Sequence, residues 1–232
     1  MNPSDGLAQL PECDGVINRR TFLPEKASGR RILHLGCVDE HLTASRVGTG
    51  DLLHEELTKT STSLVGVDIS KTGLEVIASL CPGEYVQGNV ESMDLSQFED
   101  IDLVIVAELI EHLGSPAMFY ENLADFLRGN GATAILTTPN AYYWSAFLRF
   151  SLAQHELTHP DHRLYYSPTT LEKSLSEAGL VIHERYAHAW TGRPKSSPKS
   201  NAKNLLLDTA DRLLYRNRPW LAPGLVWVVG GR

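Results

Sequence analysis

Short apolar runs alternate with longer segments of helical periodicity along most of this chain, and that alternation restricts the fold more than any other feature. Arg31–Leu35, Ser63–Val67, Glu84–Gln87, Ile101–Ala107, Ala132–Thr138, Leu180–Tyr186 and Leu225–Val229 have the length and composition of strands. Between them, Asp51–Thr60, Lys71–Leu80, Pro116–Leu127 and Ser167–Gly179 read as helices. The last of these starts with Ser167 and Pro168 and finishes with Gly179, the residue types favoured at a helix start and stop. Ile101–Ala107 is apolar at nearly every position rather than at alternate ones, so it expects neighbours on both faces. A strand of that kind belongs to a parallel sheet, and parallel strands need crossover helices, which cover the two faces. The fold class is α/β, with a doubly wound, mostly parallel sheet.

A chain of 232 residues suits one such domain. Residues 1–29 contain Pro3, Gly6, Pro11, Gly15 and Pro24 and are expected to be an irregular lead-in. The domain then occupies 30–232, with insertions for the substrate at about 139–170 and 187–224. In the first insertion, Tyr142–Leu157 is a candidate helix ended by Pro160. Its aromatic residues Tyr142, Tyr143, Trp144, Phe147 and Phe150 suit a core or a substrate wall. In the second, Thr191–Asn204 holds Arg193, Lys195, Lys199 and Lys203 with no acid and reads as a basic loop. Asn204–Arg216 follows as an amphipathic helix.

The net charge of −7 argues against a nucleic-acid partner, because phosphate binding rests on clustered positive charge. The three cysteines form no metal-ligand pair and are expected to be reduced thiols. Residues 1–30 contain four acids and no apolar core segment, so no signal peptide is expected. The stretch Trp220–Val229 is too short to span a membrane. A cytoplasmic protein is the expectation.

In open parallel sheets, ligands sit outside the carboxyl ends of the strands. Asp68, at the tip of the second expected strand, can accept both hydroxyls of a ribose, which fits a dinucleotide or a sulfonium cofactor. A dinucleotide enzyme needs G-x-G-x-x-G after the first strand, and that pattern is absent.

The order LHLGC, VGVDIS, GNVESMDL, IDLVIVAELIEHL, ILTTPN and YSPTTLEKSLSEAGL, across roughly residues 30–185, resembles the class I S-adenosylmethionine-dependent methyltransferases. The resemblance implies a Rossmann-like seven-stranded sheet whose last strand, Leu225–Val229, runs antiparallel between its neighbours. It assigns Gly36, Cys37 and Val38 to the methionine part of the cofactor and Asp68 to the ribose. Ile69 goes to the adenine face, Asn89 and Val90 to the adenine edge, and Ala107 to the cofactor wall. The chain departs from the family at His34, where an acid is usual, and at Val38 and Glu40, where glycines are usual. Glycine there permits close backbone approach.

Glu108, Glu111 and His112 follow the fourth expected strand directly. If helical, they lie at i, i+3 and i+4 and share one face, a set suited to Mg²⁺, Mn²⁺, Fe²⁺ or Zn²⁺. His159-Pro-Asp-His162 further on offers another ligand. The pair of segments resembles the metal site of small-RNA 3′-terminal 2′-O-methyltransferases, which implies Glu108, Glu111, His112 and His162 as ligands, with His159 as the substitute. A similar E-x-x-E-H occurs in O-methyltransferases of quinone biosynthesis, and Glu111 could alternatively brace a helix. His155-Glu-Leu-Thr-His159 also fits the zinc-peptidase pattern H-E-x-x-H, but Pro160 places the second histidine at a helix end.

The expected function is therefore O-methylation of a vicinal diol or catechol-like hydroxyl on a small molecule, sugar or specialised metabolite. The expected cofactor is S-adenosylmethionine, with one of these divalent metals as a second candidate. His112, His162 and Glu111 are the candidate catalytic groups, and without a metal a histidine is the general base. The basic loop suits an anionic acceptor. Alternatives are a metal-independent N- or O-methyltransferase, an RNA 3′-terminal 2′-O-methyltransferase and a non-catalytic S-adenosylmethionine-binding protein.

Overall fold

The computed structural model describes residues 6, 8–39, 42–156, 158–189, 209, 211 and 213–232. The basic stretch Thr191–Asn204 therefore lies outside the described residues, as does Glu40. Of the helix expected over Asn204–Arg216, the described residues from 213 onward are helical to 217.

Eight strands form one sheet. They are β1 (Gly15–Ile17), β2 (Arg31–Leu35), β3 (Ser63–Asp68), β4 (Glu84–Gln87), β5 (Leu103–Ala107), β6 (Thr133–Pro139), β7 (Leu180–His188) and β8 (Gly224–Gly231). Their spatial order is β1-β7-β8-β6-β5-β2-β3-β4. Only β8 is antiparallel, and it lies between β6 and β7 as expected. The helices are α1 (Arg19–Ala27), α2 (Thr43–Arg46), α3 (Leu53–Thr60), α4 (Lys71–Leu80), α5 (Pro116–Asn130), α6 (Trp144–Ala153) and α7 (Pro168–Glu177).

The expectation of an irregular segment over 1–29 is corrected here. Gly15–Ile17 adds an eighth strand, pairing parallel with Tyr186–His188 at the sheet edge. Arg19–Ala27 is helical despite Pro24. The Asn18 side chain caps it by accepting from Arg20 N, and Leu23 and Ala27 are completely buried. That burial outweighs the hydrogen bond which proline removes from the helix interior.

The strands alternate their side chains between two cores. On β5, Val104 and Val106 pack with Phe119, Leu123 and Leu127 of α5. Leu103 and Ile105 face the other way, into a cluster with Leu23 and Ala27 of α1 and Leu57 of α3. Both faces of the central strands are thus dry, as their unbroken apolar sequence requires. The Ser167 start of α7 is a complete capping box with Thr170.

The chain runs outward from β2 through β3 to β4, then returns to place β5 on the other side of β2. That reversal puts the switch point between β2 and β5. The loop after β2 begins at Gly36, and the segment after β5 begins at Glu108.

Candidate active site

Gly36 leaves β2 with φ +73°, and a side chain there would meet Leu109 at 3.1 Å. Glycine is the residue that fits both conditions. The next residues are pinned to the neighbouring strand: Gly36 N and Cys37 N both donate to Val67 O. Val38 N donates to Asp68 Oδ2 at 3.0 Å, and Ser70 N donates to Asp68 Oδ1 at 2.9 Å. The family's missing glycine at Val38 has a structural answer. Its Cγ1 lies 2.4 Å from where a Cβ on Gly73 would stand, so a glycine on α4 makes the room.

The other sequence-predicted cofactor residues line up along the same edge. Asp68 ends β3 and Ile69 follows it, Asn89 and Val90 follow β4, and Ala107 ends β5. Ile69 is 64% exposed, an apolar face open to a flat ring, whereas Val90 is buried. The Asn89 side chain accepts from Glu91 N and holds its own turn. Gly36, Cys37, Val38, Ala107 and Glu108 line a cavity of about 120 Å³ together with Arg19, Arg46, Asp39, Asp51, His34 and His54. An adjoining space of about 240 Å³ shares Arg19, Arg46, Asp39, Asp51 and Glu108 and adds Arg20. Burial raises the Cys37 thiol well above its ordinary value, with Asp68 adding to the effect, so it is an inert wall rather than a nucleophile.

The segment after β5 does not turn α-helical at once, which corrects the expected common face. Glu108 takes φ +52°, a left-handed conformation costing a non-glycine residue about 1–3 kcal/mol. A 3₁₀ turn then covers Ile110–His112, and Leu113 is already extended. Gly114 and Pro116 sit too close for an α-helix to run through. Glu108 is therefore engaged by Thr137 and Arg19. Its N donates to Thr137 O, and its Oε1 accepts from the Thr137 hydroxyl at 2.8 Å. The same Oε1 pairs with Arg19 Nη1 at 2.8 Å. Burial pushes the Glu108 carboxyl up, but Arg19, with help from His188, Thr137 and His162, brings it below its usual value.

Glu111 turns into the protein and is 1% exposed. Its Oε2 accepts from the Thr138 hydroxyl at 3.0 Å, while Oε1 is buried with no hydrogen-bond partner. Burial, reinforced by Glu108, pushes this carboxyl up to about 8. His162 arrives from the distant segment because Arg163 N and Leu164 N both donate to Glu111 O, at 2.8 and 3.1 Å. His162 Nε2 then stands 4.0 Å from Glu111 Oε1. The rings of His112 and His162 meet edge to face with centroids 4.7 Å apart. Ligand atoms from Glu111, His112 and His162 all fall within 4.8 Å of one another.

The structure thus brings together three of the four predicted metal ligands and sets Glu108 beside Arg19. His159 lies next to the group, its ring 6.2 Å from that of His112. Burial lowers the His162 pKa, and the neighbouring His112 and His159 lower it further. The described residues of the H-E-x-x-H peptidase pattern are not helical, since α6 ends at Ala153 and Gln154 is left-handed. None of the α6 residues is buried: Phe147 and Phe150 on it, and Tyr142 just before it, are exposed, whereas Trp144 packs against the core and donates to the Tyr215 hydroxyl. Arg19, Thr137 and Thr138 were not singled out by the sequence. The two threonines stood in the quoted ILTTPN, but Arg19 lay in the segment expected to be irregular and carried no signal.

A carboxylate oxygen buried without a partner beside two imidazoles fits a cation, because the set supplies oxygen and nitrogen donors and one uncompensated acceptor. The cofactor edge fits S-adenosylmethionine in its turn: the cavity lined by Gly36, Cys37 and Val38 offers room for a methionine end, and Ile69 presents an apolar face further along.

The family described as "Methyltransferase domain" matches residues 11–185. A ubiquinone biosynthesis O-methyltransferase of Chelativorans sp. is 29% identical over 167 residues, which cover 68% of this chain and 61% of that protein. The mitochondrial ubiquinone biosynthesis O-methyltransferase of Schizosaccharomyces pombe is 30% identical over 138 residues, 56% of this chain and 45% of the relative. The chain therefore spans about half to two thirds of the length of these relatives. Among solved structures, the small RNA methyltransferase HEN1 aligns with a TM-score of 0.60 at 18% identity, covering 92% of this chain and 25% of that one. A S-adenosylmethionine-dependent methyltransferase from Mesorhizobium loti aligns with a TM-score of 0.55 at 14% identity, covering 88% and 92%. With three quarters of its length matched, the chain belongs to the methyltransferase-domain family, and its fold is that of the class I S-adenosylmethionine-dependent methyltransferases.

Proposed function

We propose that the chain is an S-adenosylmethionine-dependent O-methyltransferase acting on a vicinal diol or catechol-like hydroxyl of a small molecule, with a divalent cation held by Glu111, His112 and His162. Glu108, held by Arg19 in this structure, is the further ligand the set would recruit. The observation that carries this is the buried, unpartnered Oε1 of Glu111, facing His162 Nε2 at 4.0 Å beside the switch point where the cofactor edge ends. The O-methyltransferase names of the relatives support the choice of oxygen as acceptor.

Methyl transfer from a sulfonium is an in-line displacement from an already activated donor, so the protein's work is alignment and removal of the acceptor proton. A cation in this set supplies a lowered pKa for a hydroxyl beside it. The residues do the rest. Thr138 fixes Glu111 through Oε2, which leaves Oε1 aimed into the site. Burial and the neighbouring Glu108 push the Glu111 pKa up, so a cation held there would bind with release of the Glu111 proton. His162, lowered by burial and by its histidine neighbours, is neutral there and able to take a proton. Gly36 to Val38 and Asp68 orient the donor from the opposite side of the switch point.

Elemental analysis of protein purified in the presence of Mn²⁺, Fe²⁺ or Zn²⁺ tests the assignment. Wild type is expected to retain a stoichiometric ion and Glu111→Gln or His162→Ala to lose it. Retention by both variants would overturn it.

A further inference from the structure

Arg19 joins the cofactor cavity to Glu108, the first residue of the segment that carries Glu111 and His112. Its guanidinium lines the cavity beside Gly36 and Ala107, and its Nη1 holds Glu108 Oε1 at 2.8 Å. Arg46, which lines the same cavity, and Arg20, which lines the adjoining space, are matched differently: Arg46 pairs with Asp39 and Arg20 with Asp51, neither of which belongs to the Glu108–His112 segment. Glu108 is tied to Arg19 at the expense of its place in the cation set, since the three gathered ligands are Glu111, His112 and His162. It nevertheless lies near enough for His162 to act on its carboxylate. Its left-handed backbone is held by Thr137, which accepts from Glu108 N and donates to Oε1.

We propose, on the assumption that the cation site is as assigned above, that the Arg19–Glu108 ion pair is a latch through which the donor's amino-acid end controls cation affinity. A carboxylate entering the cavity beside Gly36 competes with Glu108 for the Arg19 guanidinium. Two carboxylates beside one arginine repel each other, and the repulsion is relieved when Glu108 turns toward Glu111, His112 and His162. The incoming anion thereby completes the cation set, and the cation in turn clears Arg19 for the anion. By linkage, each raises the affinity of the other by the same factor. In this scheme Arg19 is a positioning residue for Glu108.

Isothermal titration of Mn²⁺ into the full chain, alone and at saturating S-adenosylhomocysteine or 5′-methylthioadenosine, reads the latch without needing an acceptor or turnover. The first nucleoside carries the amino-acid end and the second lacks it. S-adenosylhomocysteine is expected to tighten Mn²⁺ binding by about fivefold or more, and 5′-methylthioadenosine to leave it unchanged. Arg19→Met is expected to bind Mn²⁺ more tightly than wild type with no nucleoside present and to show no response to S-adenosylhomocysteine. If Mn²⁺ binds but both nucleosides act equally, or neither acts, the latch is overturned while the cation site stands. If Mn²⁺ does not bind under any of these conditions, both fall together.

Discussion

At the level of single residues, the site works by placing one carboxylate oxygen where nothing in the described protein satisfies it. Thr138 decides which oxygen that is, by donating to Oε2 of Glu111 at 3.0 Å. Thr138→Val keeps the shape and removes the donor, so Glu111 loses its fixed orientation. Cation affinity is expected to fall on the order of 10- to 100-fold, the usual effect of removing a group that orients a ligand, while the circular dichroism spectrum stays that of wild type. Unchanged affinity would mean that Thr138 merely fills space. Much of this residue-level pattern was legible beforehand: Glu111, His112 and His162 were readable as one group, and the structure brings their donor atoms within 4.8 Å of one another. Glu108 was misplaced because its left-handed backbone is imposed by Thr137, a residue on another strand, and no local pattern encodes that.

At the level of elements, short strands and amphipathic helices were readable because each carries its burial pattern in its own sequence, as β5 and the Ser167-capped α7 do. β1 and α1 were not, since three residues pairing at an edge and a helix containing Pro24 are stabilised by partners far away in the chain. The 3₁₀ turn Ile110–His112 escaped for a related reason: helical spacing in a sequence does not distinguish α from 3₁₀ geometry. The loop after β2 depends on α4 in the same way. Val38 stands where a glycine is usual, and its Cγ1 occupies the space that a side chain on Gly73 would need. Gly73→Ala is expected to cost about 1–3 kcal/mol of stability through overpacking and to weaken S-adenosylhomocysteine binding by displacing Val38 N from Asp68. Chemical denaturation and calorimetry would measure the two effects. A stability loss with unchanged nucleoside affinity would detach the Val38 loop from cofactor binding.

Across the whole molecule, several buried ionisable groups shift in ways that set its pH range. His34 Nδ1 lies 3.1 Å from His54 Nδ1, an arrangement in which one ring donates to the other only if they do not both carry a charge. Burial lowers His54 to about 4 and His188 to about 4, and it lowers His34 as well, where His54 and Arg19 add to the effect. An unfolded chain binds protons at these histidines near pH 6.5, so between about 4 and 6.5 acid favours unfolding. Glu111, raised to about 8 by burial, has the opposite sign: above its unfolded value of about 4.3 it costs stability until pH 8. Below pH 6.5 the histidines outnumber it, and above pH 6.5 it acts alone. Chelator-treated protein is therefore expected to melt highest near pH 6.5, and Glu111→Gln to remove the decline on the alkaline side. A melting temperature flat from pH 4.5 to 8 would contradict these assignments. No helix among the described residues is long and apolar enough to cross a membrane.

The central claim is that a cation at Glu111, His112 and His162 assists transfer of a methyl group to a hydroxyl. Its most direct test is the rate at which chelator-stripped protein moves the tritiated methyl of S-adenosylmethionine to catechol, before and after Mn²⁺ is restored. Labelling is expected to depend on Mn²⁺ and to be far slower with phenol, which offers no second hydroxyl. Equal labelling of catechol by the stripped and the restored protein would contradict the account.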